Sequence, residues 1–273
     1  MVWDTPASTQ IHIKPLDLMR IGMLGRFFPG NWRPPTDEIR FAAESGFDAL
    51  QIRSDRPGEV AEELRADLAE VGRVFAETGV EPVVEMLLRL NRPPSIPDAL
   101  RANLSVLADL GCHRVHIHPV PGAADVDVPE LERRLPELFA DAIDVAESEG
   151  LILGVEHNSR EHRLLIEPET CATLLAAVPR LSFVWDLNHT ELEHATGFAA
   201  LRERLSLVHV SDTPLPVTNH HLPVGLGSVD FSPLRGIDVP LILEIGGLPA
   251  SGGPGFDTDD ALRHSQARLR SLV

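Results

Sequence analysis

Short apolar runs alternate with longer amphipathic stretches along the whole chain. The apolar runs are rich in valine, isoleucine and leucine, whereas stretches such as EVAEELRADLAEVGRVFAETG carry apolar residues at helical spacing. The runs recur roughly every 31 residues, which is the length of one βα unit when about 250 residues form eight such units. Strands are predicted to begin near Leu18, Asp48, Glu81, His113, Leu151, Ser182, Ser206 and Pro240.

A glycine stands at the end of several helical stretches, directly before the next strand. Gly46, Gly79, Gly111 and Gly150 have this position. A glycine that caps the C-terminus of a helix before a short turn explains the recurrence. No linker or low-complexity tract divides the chain. We therefore predict an α/β fold, a single (β/α)8 TIM barrel that spans residues 1–273 as one domain.

Four ionisable side chains stand late in four successive predicted strands. Glu156 ends LILGVE, Asp186 ends LSFVWD, His209 lies in LSLVHV and Glu244 ends PLILE. Alternate residues of a strand face opposite sides, so these side chains can point into a barrel while the bulky residues between them meet the helices. Parallel barrel strands bring such residues together at one rim. We expect the four side chains to meet at the barrel mouth.

Three carboxylates and one imidazole form an oxygen-rich set of metal ligands. Such a set suits Mn²⁺, Mg²⁺ or Co²⁺ with positions left open for substrate or water, whereas structural zinc prefers thiolates. Each residue alone is equally compatible with a helix cap or a rim ion pair. Their occurrence on four adjacent strands favours a divalent-metal site, with manganese preferred and magnesium, cobalt and zinc open. We call Glu156, Asp186, His209 and Glu244 the ligand cluster.

Six further polar residues are predicted near the same rim, with two interpretations each. They contact substrate, or they serve the structure as hydrogen-bonded core histidines, rim salt bridges and a turn residue. The two histidines of RVHIHP share a strand face and are expected to point inward, one deep and one at the rim. The six residues are His116, His118, Arg26, Arg53, Glu85 and Asn158.

The composition indicates a full hydrophobic core and no membrane segment. Of the 273 residues, 43% are hydrophobic, and no apolar run approaches the roughly 18 residues of a membrane span. The N-terminal MVWDTPASTQ lacks the features of a secretory signal. The two cysteines, Cys112 and Cys171, have neither metal-ligand spacing nor the pattern of a disulfide framework. We expect a cytoplasmic protein without a membrane partner.

The formal net charge of −17 argues against several partners and mechanisms. A nucleic-acid binder needs a basic face, and no cluster of lysine and arginine suggests one. Lys14 is the only lysine and precedes the first strand, so Schiff-base chemistry on a barrel strand is not expected. Asp257, Asp259 and Asp260 open the last helix and would repel a phosphate there. The preceding loop, GGLPASGGPG, is therefore predicted to be a lid or a plain loop, and the substrate to be neutral.

The motifs resemble the xylose isomerase-like TIM barrels, which include sugar isomerases and epimerases, inosose dehydratase and AP endonucleases of the endonuclease IV type. The resemblance covers nearly the whole chain and is carried by TDEIRFAAESGFDALQI, GVEHN, WDLNHTE, LVHVSD, HLPVGLGSVDF and LILEIGG. In the tagatose and psicose epimerase branch, the positions that match the ligand cluster bind one metal ion, and its two glutamates move the proton. The resemblance further implies that His189 contacts a substrate oxygen and that His221 stands where a histidine is common.

The sequence departs from the family pattern at several positions, and these departures limit the mechanisms and metal sites that the resemblance implies. Gln51 stands where many members carry a glutamate on strand two, and the mid-barrel lysine of the xylose isomerase type is absent. His118 and His221 match positions that bind extra metals in the AP endonucleases. However, Asn219 replaces an aspartate ligand of those enzymes, and their histidine on strand two or three has no counterpart. Neither a hydride shift nor a three-metal cluster is therefore expected.

The sequence thus predicts a divalent-metal-dependent isomerase or epimerase of a ketose or related hydroxyketone. Glu156 and Glu244 are the expected acid–base pair, because one carboxylate on each face of the substrate can remove and return a proton while a metal stabilises the enediolate. An inosose-type dehydratase is the alternative, and an endonuclease IV-like phosphodiesterase is less favoured. The expected partner is a small sugar or polyol ketone, and a homo-oligomer is left open. The predicted substrate-binding residues are His189, His118, His221, Asn158, Arg53 and Glu85.

Overall fold

A closed barrel of eight parallel strands forms the centre of the molecule. The computed structural model describes residues 19–27, 33–54, 60–64, 66–246 and 257–273; Lys14, Leu18 and residues 247–255 of the glycine-rich loop lie outside them. From the second strand onward, each strand begins at the predicted residue or next to it, so the predicted barrel is confirmed. The strands are β1 Ile21–Leu24, β2 Ala49–Ser54, β3 Glu81–Arg89, β4 Arg114–Val120, β5 Ile152–Glu156, β6 Ser182–Asp186, β7 Leu205–Val210 and β8 Leu241–Leu243.

Helices connect the strands on the outside of the barrel. Several begin at a side chain that caps the first turn, such as Asp67, Ser95, Asp127 and Thr258. The helices are α1 Pro35–Glu44, α2 Val60–Leu64, α3 Leu68–Thr78, α4 Ile96–Leu110, α5 Val128–Ser148, α6 Pro168–Ala177, α7 Ala195–Ala199 and α8 Asp259–Leu272. The four glycines predicted to precede strands all have φ between 67° and 75°, the left-handed conformation that glycine adopts without strain.

The connection from β7 to β8 departs from the expected alternation of strands and helices. Between residues 211 and 240 it forms only one short 3₁₀ helix, Ser232–Leu234. The segment is rich in proline, with Pro214, Pro216 and Pro223 in its first half. Proline cannot donate a backbone hydrogen bond and interrupts a helix, so this segment forms a long loop above the barrel.

The strand faces alternate as predicted between the barrel interior and the helices. Apolar side chains fill the interior below the mouth, and a second, larger core lies between the sheet and the helices. Phe183 and Trp185 of β6 belong to the outer core, whereas Val184 between them faces inward. The interior layer consists of Ala49, Val83, Val184, Leu207 and Ile242. This layer fills the barrel interior below the polar side chains that stand at the mouth.

Candidate metal centre

The four side chains of the ligand cluster converge at the carboxyl ends of β5 to β8. The Nδ1 atom of His209 lies 3.4 Å from Oε1 of Glu156, 3.8 Å from Oδ2 of Asp186 and 3.6 Å from Oε2 of Glu244. All four residues are buried. Glu244 follows the last residue of β8 and still donates its backbone N–H to Val210 of β7. Three carboxylates therefore surround one imidazole nitrogen.

Several polar atoms of this cluster have no hydrogen-bond partner in the described part of the chain. They are Oε2 of Glu156, Oδ2 of Asp186 and Nδ1 of His209. The ligand atoms of these three residues lie within 4.8 Å of one another. Buried polar atoms are normally paired, so an unpaired atom on each of three neighbouring residues requires an explanation. The chemistry of the donor set fits a divalent cation, which would bind one ligand atom of each residue.

Asp186 is held so that one oxygen is left for the centre of the site. Its Oδ1 accepts backbone hydrogen bonds from Asn188 at 2.7 Å and His189 at 3.3 Å, while Oδ2 has no such partner among the described residues. Burial acts to raise the pKa of this carboxyl, but His189 and His209 outweigh it and lower the pKa. The carboxylate is therefore ionised at neutral pH and oriented by the turn that follows β6.

The same balance of burial and charge applies to Glu156 and His209. Burial acts to raise the pKa of Glu156, but His118 and His209 hold the pKa well below its ordinary value. Burial acts to lower the pKa of His209, but Glu244 and Glu156 raise it well above 6.5. In the protein without a cation, a proton on His209 thus balances part of the carboxylate charge.

Gln51 connects the cluster to a second group of polar side chains. Its Nε2 donates to Oε2 of Glu85 at 2.8 Å and to Oε1 of Glu244 at 2.9 Å, and its Oε1 lies 2.9 Å from Nε2 of His209. The side chain is fully buried. The sequence shows only that Gln51 stands where many family members carry a glutamate. Its hydrogen bonds to two members of the ligand cluster were not expected.

Glu85, His118 and Asn158 form a connected group beside the cluster. The Nε2 atom of His118 lies 2.7 Å from Oδ1 of Asn158, and its Nδ1 lies 3.3 Å from Oε1 of Glu85. Asn158 donates from Nδ2 to the carbonyls of Pro119 and Leu164, at 2.7 and 3.0 Å. This fixes the orientation of its amide and leaves Oδ1 to accept from His118. Asn158 therefore orients His118, a role that we did not predict.

Charge within this group favours a protonated His118. Burial acts to lower its pKa, but Glu156 and Glu85 raise the pKa to about 9. The Nδ1 atom of His118 lies 3.6 Å from Oε2 of Glu156, which belongs to the ligand cluster. Arg53 lies 3.6 Å from Glu85, and its side chain is 41% exposed, so it stands at the solvent edge of the group. Glu85 thus lies between two positive groups.

His116 lies deeper in the barrel than His118, as predicted. Neither ring nitrogen makes a hydrogen bond to any described residue, and the ring packs edge-on against His209 with centroids 5.0 Å apart. Its Nε2 lies 3.5 Å from Oε2 of Glu156. A Cβ at Gly154 on the neighbouring strand would lie 2.7 Å from Oγ of Ser206, 3.0 Å from Val184 and 3.3 Å from the Cβ of His116. The glycine therefore leaves room for all three side chains inside the barrel.

The loops after β6 and β7 bring His189 and His221 to the mouth. The two rings are in edge-on contact, with centroids 6.3 Å apart. His189 Nδ1 lies 3.3 Å from Oδ2 of Asp186, and His221 Nδ1 donates to the carbonyl of Glu244 at 3.0 Å. Asn188, which we did not single out from the sequence, accepts from the backbone N–H groups of His220 and His221. Its amide thus joins the two loops.

Asp212, a second residue that we did not single out, fixes the glycine turn after β7. Its carboxylate accepts backbone hydrogen bonds from Thr213, Gly225 and Val229. A Cβ at Gly227 would overlap with the carboxylate of Asp212 and the carbonyl of Thr213. The close approach explains why a glycine stands at this position of the turn.

Arg26 belongs to a salt-bridge network. This favours the interpretation of Arg26 as a rim salt bridge over a contact with substrate. Its guanidinium contacts Glu38 of α1 at 2.6 Å and Asp259 of α8 at 2.8 Å. Arg33 contacts the same two carboxylates, at 2.9 and 2.7 Å. The network ties the segment after β1 to the first and last helices.

Comparison with known proteins identifies the family. A model of the family described as the xylose isomerase-like TIM barrel matches residues 39–271. The chain belongs to this family. No curated protein matches the sequence. None of the helices in the described ranges has the length and apolarity needed to cross a membrane.

Solved structures of several proteins share this xylose isomerase-like barrel. A D-psicose 3-epimerase in the presence of D-fructose is 18% identical with a TM-score of 0.74, covering 93% of this chain and 99% of that one. The IOLI protein with a bound zinc atom is 17% identical with a TM-score of 0.71, covering 93% and 98%. An AP endonuclease of family 2 from Brucella melitensis is 17% identical with a TM-score of 0.68, covering 90% and 97%. At these identities the likeness establishes the fold, and the activity must be argued from the site.

Proposed function

We propose that the protein is a divalent-metal-dependent isomerase or epimerase of a ketose or a related hydroxyketone. The observation that carries the proposal is the convergence of Glu156, Asp186 and His209 beside the carboxylate of Glu244. Each of the three has a buried atom without a hydrogen-bond partner among the described residues. Four ligands of this kind leave coordination positions open for two oxygens of a substrate. We expect Mn²⁺ to be the preferred ion, with Mg²⁺, Co²⁺ and Zn²⁺ as alternatives.

A bound divalent ion would supply Lewis acidity, drawing electron density from a substrate carbonyl so that the adjacent C–H becomes more acidic. The protein would supply the bases. Glu156 is ionised because His118 and His209 outweigh the effect of burial on its pKa. Glu244 is anchored at Oε1 by Gln51, which leaves Oε2 directed towards the centre of the site. We propose that one glutamate removes the proton and that the other returns a proton on the opposite face.

Polar groups around the ligand cluster are proposed to bind the hydroxyls of the substrate. Nε2 of His189 makes no hydrogen bond within the described ranges, so it is available to a substrate oxygen. Arg53 lies at the solvent edge and can reach a distal hydroxyl. The substrate contacts predicted for Glu85, His118, His221 and Asn158 stay predictions, and Asn158 would act mainly by holding His118 in place.

A dehydratase is the second candidate, and His118 is the observation that favours it. A protonated imidazole with a pKa of about 9, beside the proposed base Glu156, is placed to give its proton to a leaving hydroxyl. The same proton abstraction beside a carbonyl would then be followed by loss of water. The two candidates differ in the product and not in the first step.

A phosphodiesterase is less favoured than either candidate. The net charge of −17 opposes binding to a nucleic-acid backbone. Asn219 stands where the resemblance would need a carboxylate ligand, and its Oδ1 lies 2.9 Å from Nε2 of His221. Glu85, His118 and Glu156 lie close enough together to hold a second ion, but the histidine on strand two or three that a three-metal cluster needs has no counterpart in the sequence. A small sugar or polyol ketone in the cytoplasm remains the proposed substrate and location.

The test is a screen of ketoses and inososes in D₂O with Mn²⁺ supplied. We expect one compound to gain deuterium at the carbon next to its carbonyl. A change of configuration or of carbonyl position indicates an epimerase or isomerase, and an unsaturated product indicates a dehydratase. Nicking of an abasic duplex, without deuterium exchange in any sugar, would contradict both candidates in favour of a phosphodiesterase.

A further inference from the structure

We infer that Gln51 is a positioning residue that selects Nδ1 of His209 as the metal-binding nitrogen and holds Glu244 ready to bind the same ion. The inference rests on the proposed metal site and adds to it a residue outside the ligand cluster. It also explains why an amide, and not a carboxylate, stands at this point of β2.

The orientation of the Gln51 amide follows from its neighbours. One end of the amide lies between two carboxylate oxygens, 2.8 Å from Glu85 and 2.9 Å from Glu244. Only the NH₂ group, with two donors, can satisfy both carboxylates. The other end, 2.9 Å from Nε2 of His209, must therefore be the carbonyl oxygen.

A carbonyl oxygen at this position determines the tautomer of His209. The oxygen can only accept, so Nε2 of His209 must carry a hydrogen. In the neutral ring the lone pair then lies on Nδ1, which is the nitrogen that faces Glu156, Asp186 and Glu244. Metal-binding histidines are commonly oriented in this way by an acceptor on the other ring nitrogen. Here a side chain on β2 provides the acceptor for a ligand on β7.

The same amide orders Glu244. Its hydrogen bond occupies Oε1, and Oε2 is the oxygen that lies 3.6 Å from Nδ1 of His209. Gln51 is fully buried, so bulk water cannot take over either hydrogen bond when the amide is removed. A glutamate in its place would set a third carboxylate against Glu85 and Glu244, and like charges in contact are unfavourable. The neutral amide is thus the group that can bridge both carboxylates and still accept from His209.

The experiment compares Zn²⁺ binding and the tautomer of His209 in three variants. Gln51→Met keeps the approximate shape but neither accepts from Nε2 nor donates to Glu244, and we expect Zn²⁺ affinity by calorimetry to fall about 10–100-fold. Gln51→Glu keeps the acceptor and should preserve the Nε2–H signal of His209 in ¹H–¹⁵N spectra of the Zn²⁺-loaded protein. Asn103→Leu is the matched control, because it replaces another fully buried amide, on α4, and should leave affinity unchanged.

The outcomes separate this inference from the proposed function. Failure of the wild-type protein to bind Zn²⁺, Mn²⁺, Co²⁺ or Mg²⁺ would overturn the metal site and the inference together. Wild-type affinity in Gln51→Met, or a His209 that binds Zn²⁺ through Nε2, would overturn the role of Gln51 alone. An equal loss of affinity in Asn103→Leu would assign the effect to general loosening of the barrel, which also overturns it.

Discussion

Single carboxylates carry the proposed acid–base chemistry, so they can be tested one at a time. Glu156→Gln and Glu244→Gln each keep an oxygen that can bind a metal but remove the base, and the fold and much of the metal occupancy should survive. We expect turnover of an identified substrate to fall about 10²–10⁴-fold, the usual cost of losing general acid–base catalysis. One variant should still exchange the substrate α-proton with deuterium without completing inversion, because one face keeps its base.

A matched control for these changes lies on the surface. Glu44 at the end of α1 is exposed and far from the mouth in the fold, so Glu44→Gln should leave turnover unchanged. Wild-type turnover in both Glu156→Gln and Glu244→Gln would show that neither is the base. The proton would then have to move through another group at the mouth, such as His189.

Proton release should accompany metal binding at His209. Burial acts to lower its pKa, but Glu244 and Glu156 raise the pKa well above 6.5, so the metal-free protein keeps the Nδ1 proton through neutral pH. An ion that binds Nδ1 must displace this proton. Affinity for Mn²⁺ should therefore rise as pH increases across the neutral range and fall as pH decreases. Calorimetry in buffers with different ionisation enthalpies measures the protons released, and pH-independent binding without release would contradict the proposed ligand.

At the scale of residues, position within a strand was predictable and side-chain partners were not. Strand alternation placed the inward and outward residues of β6 correctly, because that pattern depends only on neighbours along the chain. The hydrogen bonds of Gln51 join it to His209 and Glu244, 158 and 193 positions away. No local pattern encodes such contacts. The available signal was an uncharged polar residue at an inward position of β2, two residues after the inward-facing Ala49.

At the scale of elements, the turn after β7 depends on a glycine. A Cβ at Gly227 would overlap with Asp212 and Thr213, so Gly227→Ala must displace the carboxylate that accepts from Gly225 and Val229. Overpacking of this kind typically costs about 1–3 kcal/mol. We expect a lower melting temperature, by roughly 2–6 °C for a chain of this size. Thermal unfolding followed by circular dichroism measures the change.

The neighbouring Leu226 provides the control for this turn. Its side chain is 62% exposed, so Leu226→Ala changes the same loop without disturbing a packed contact and should leave the melting temperature unchanged. An equal melting temperature of Gly227→Ala and the wild-type protein would contradict the prediction. It would mean that the turn adjusts to the added Cβ without a cost in stability.

The long loop after β7 also marks the limit of prediction at the scale of elements. The strands could be predicted because each is a short apolar run of fixed spacing. The prolines between residues 211 and 240 argue against a helix, but they do not encode what replaces it. The shape of the loop depends on two side chains that accept backbone hydrogen bonds from it. Asp212 lies in the loop itself, and Asn188 lies in the loop after β6. Tertiary contacts of this kind decide loop structure more than local propensity does.

At the scale of the whole molecule, a ligand that binds only the folded barrel should stabilise it. Strands β5 to β8 each contribute a proposed ligand, so binding links segments that separate on unfolding. At a free Mn²⁺ concentration of 100 times Kd, the stabilisation is about 2.7 kcal/mol. We therefore expect Mn²⁺ to raise the melting temperature by roughly 5 °C and a chelator to reverse the change. Asp186→Ala should lose most of this shift, because it removes one ligand without altering the outer core.

An acidic group at the surface provides a control for this measurement. Glu191, Glu193 and His194 also lie close enough together to hold an ion, but they stand on the exposed loop after β6. These ligands lie within one short loop, so an ion bound to them does not connect separate strands of the barrel. Binding at this loop therefore contributes little to the stability of the barrel. Glu193→Gln should therefore keep the full Mn²⁺-dependent shift that Asp186→Ala loses. The opposite pattern would place the stabilising ion on the surface and remove the main support for metal-assisted chemistry at the barrel mouth.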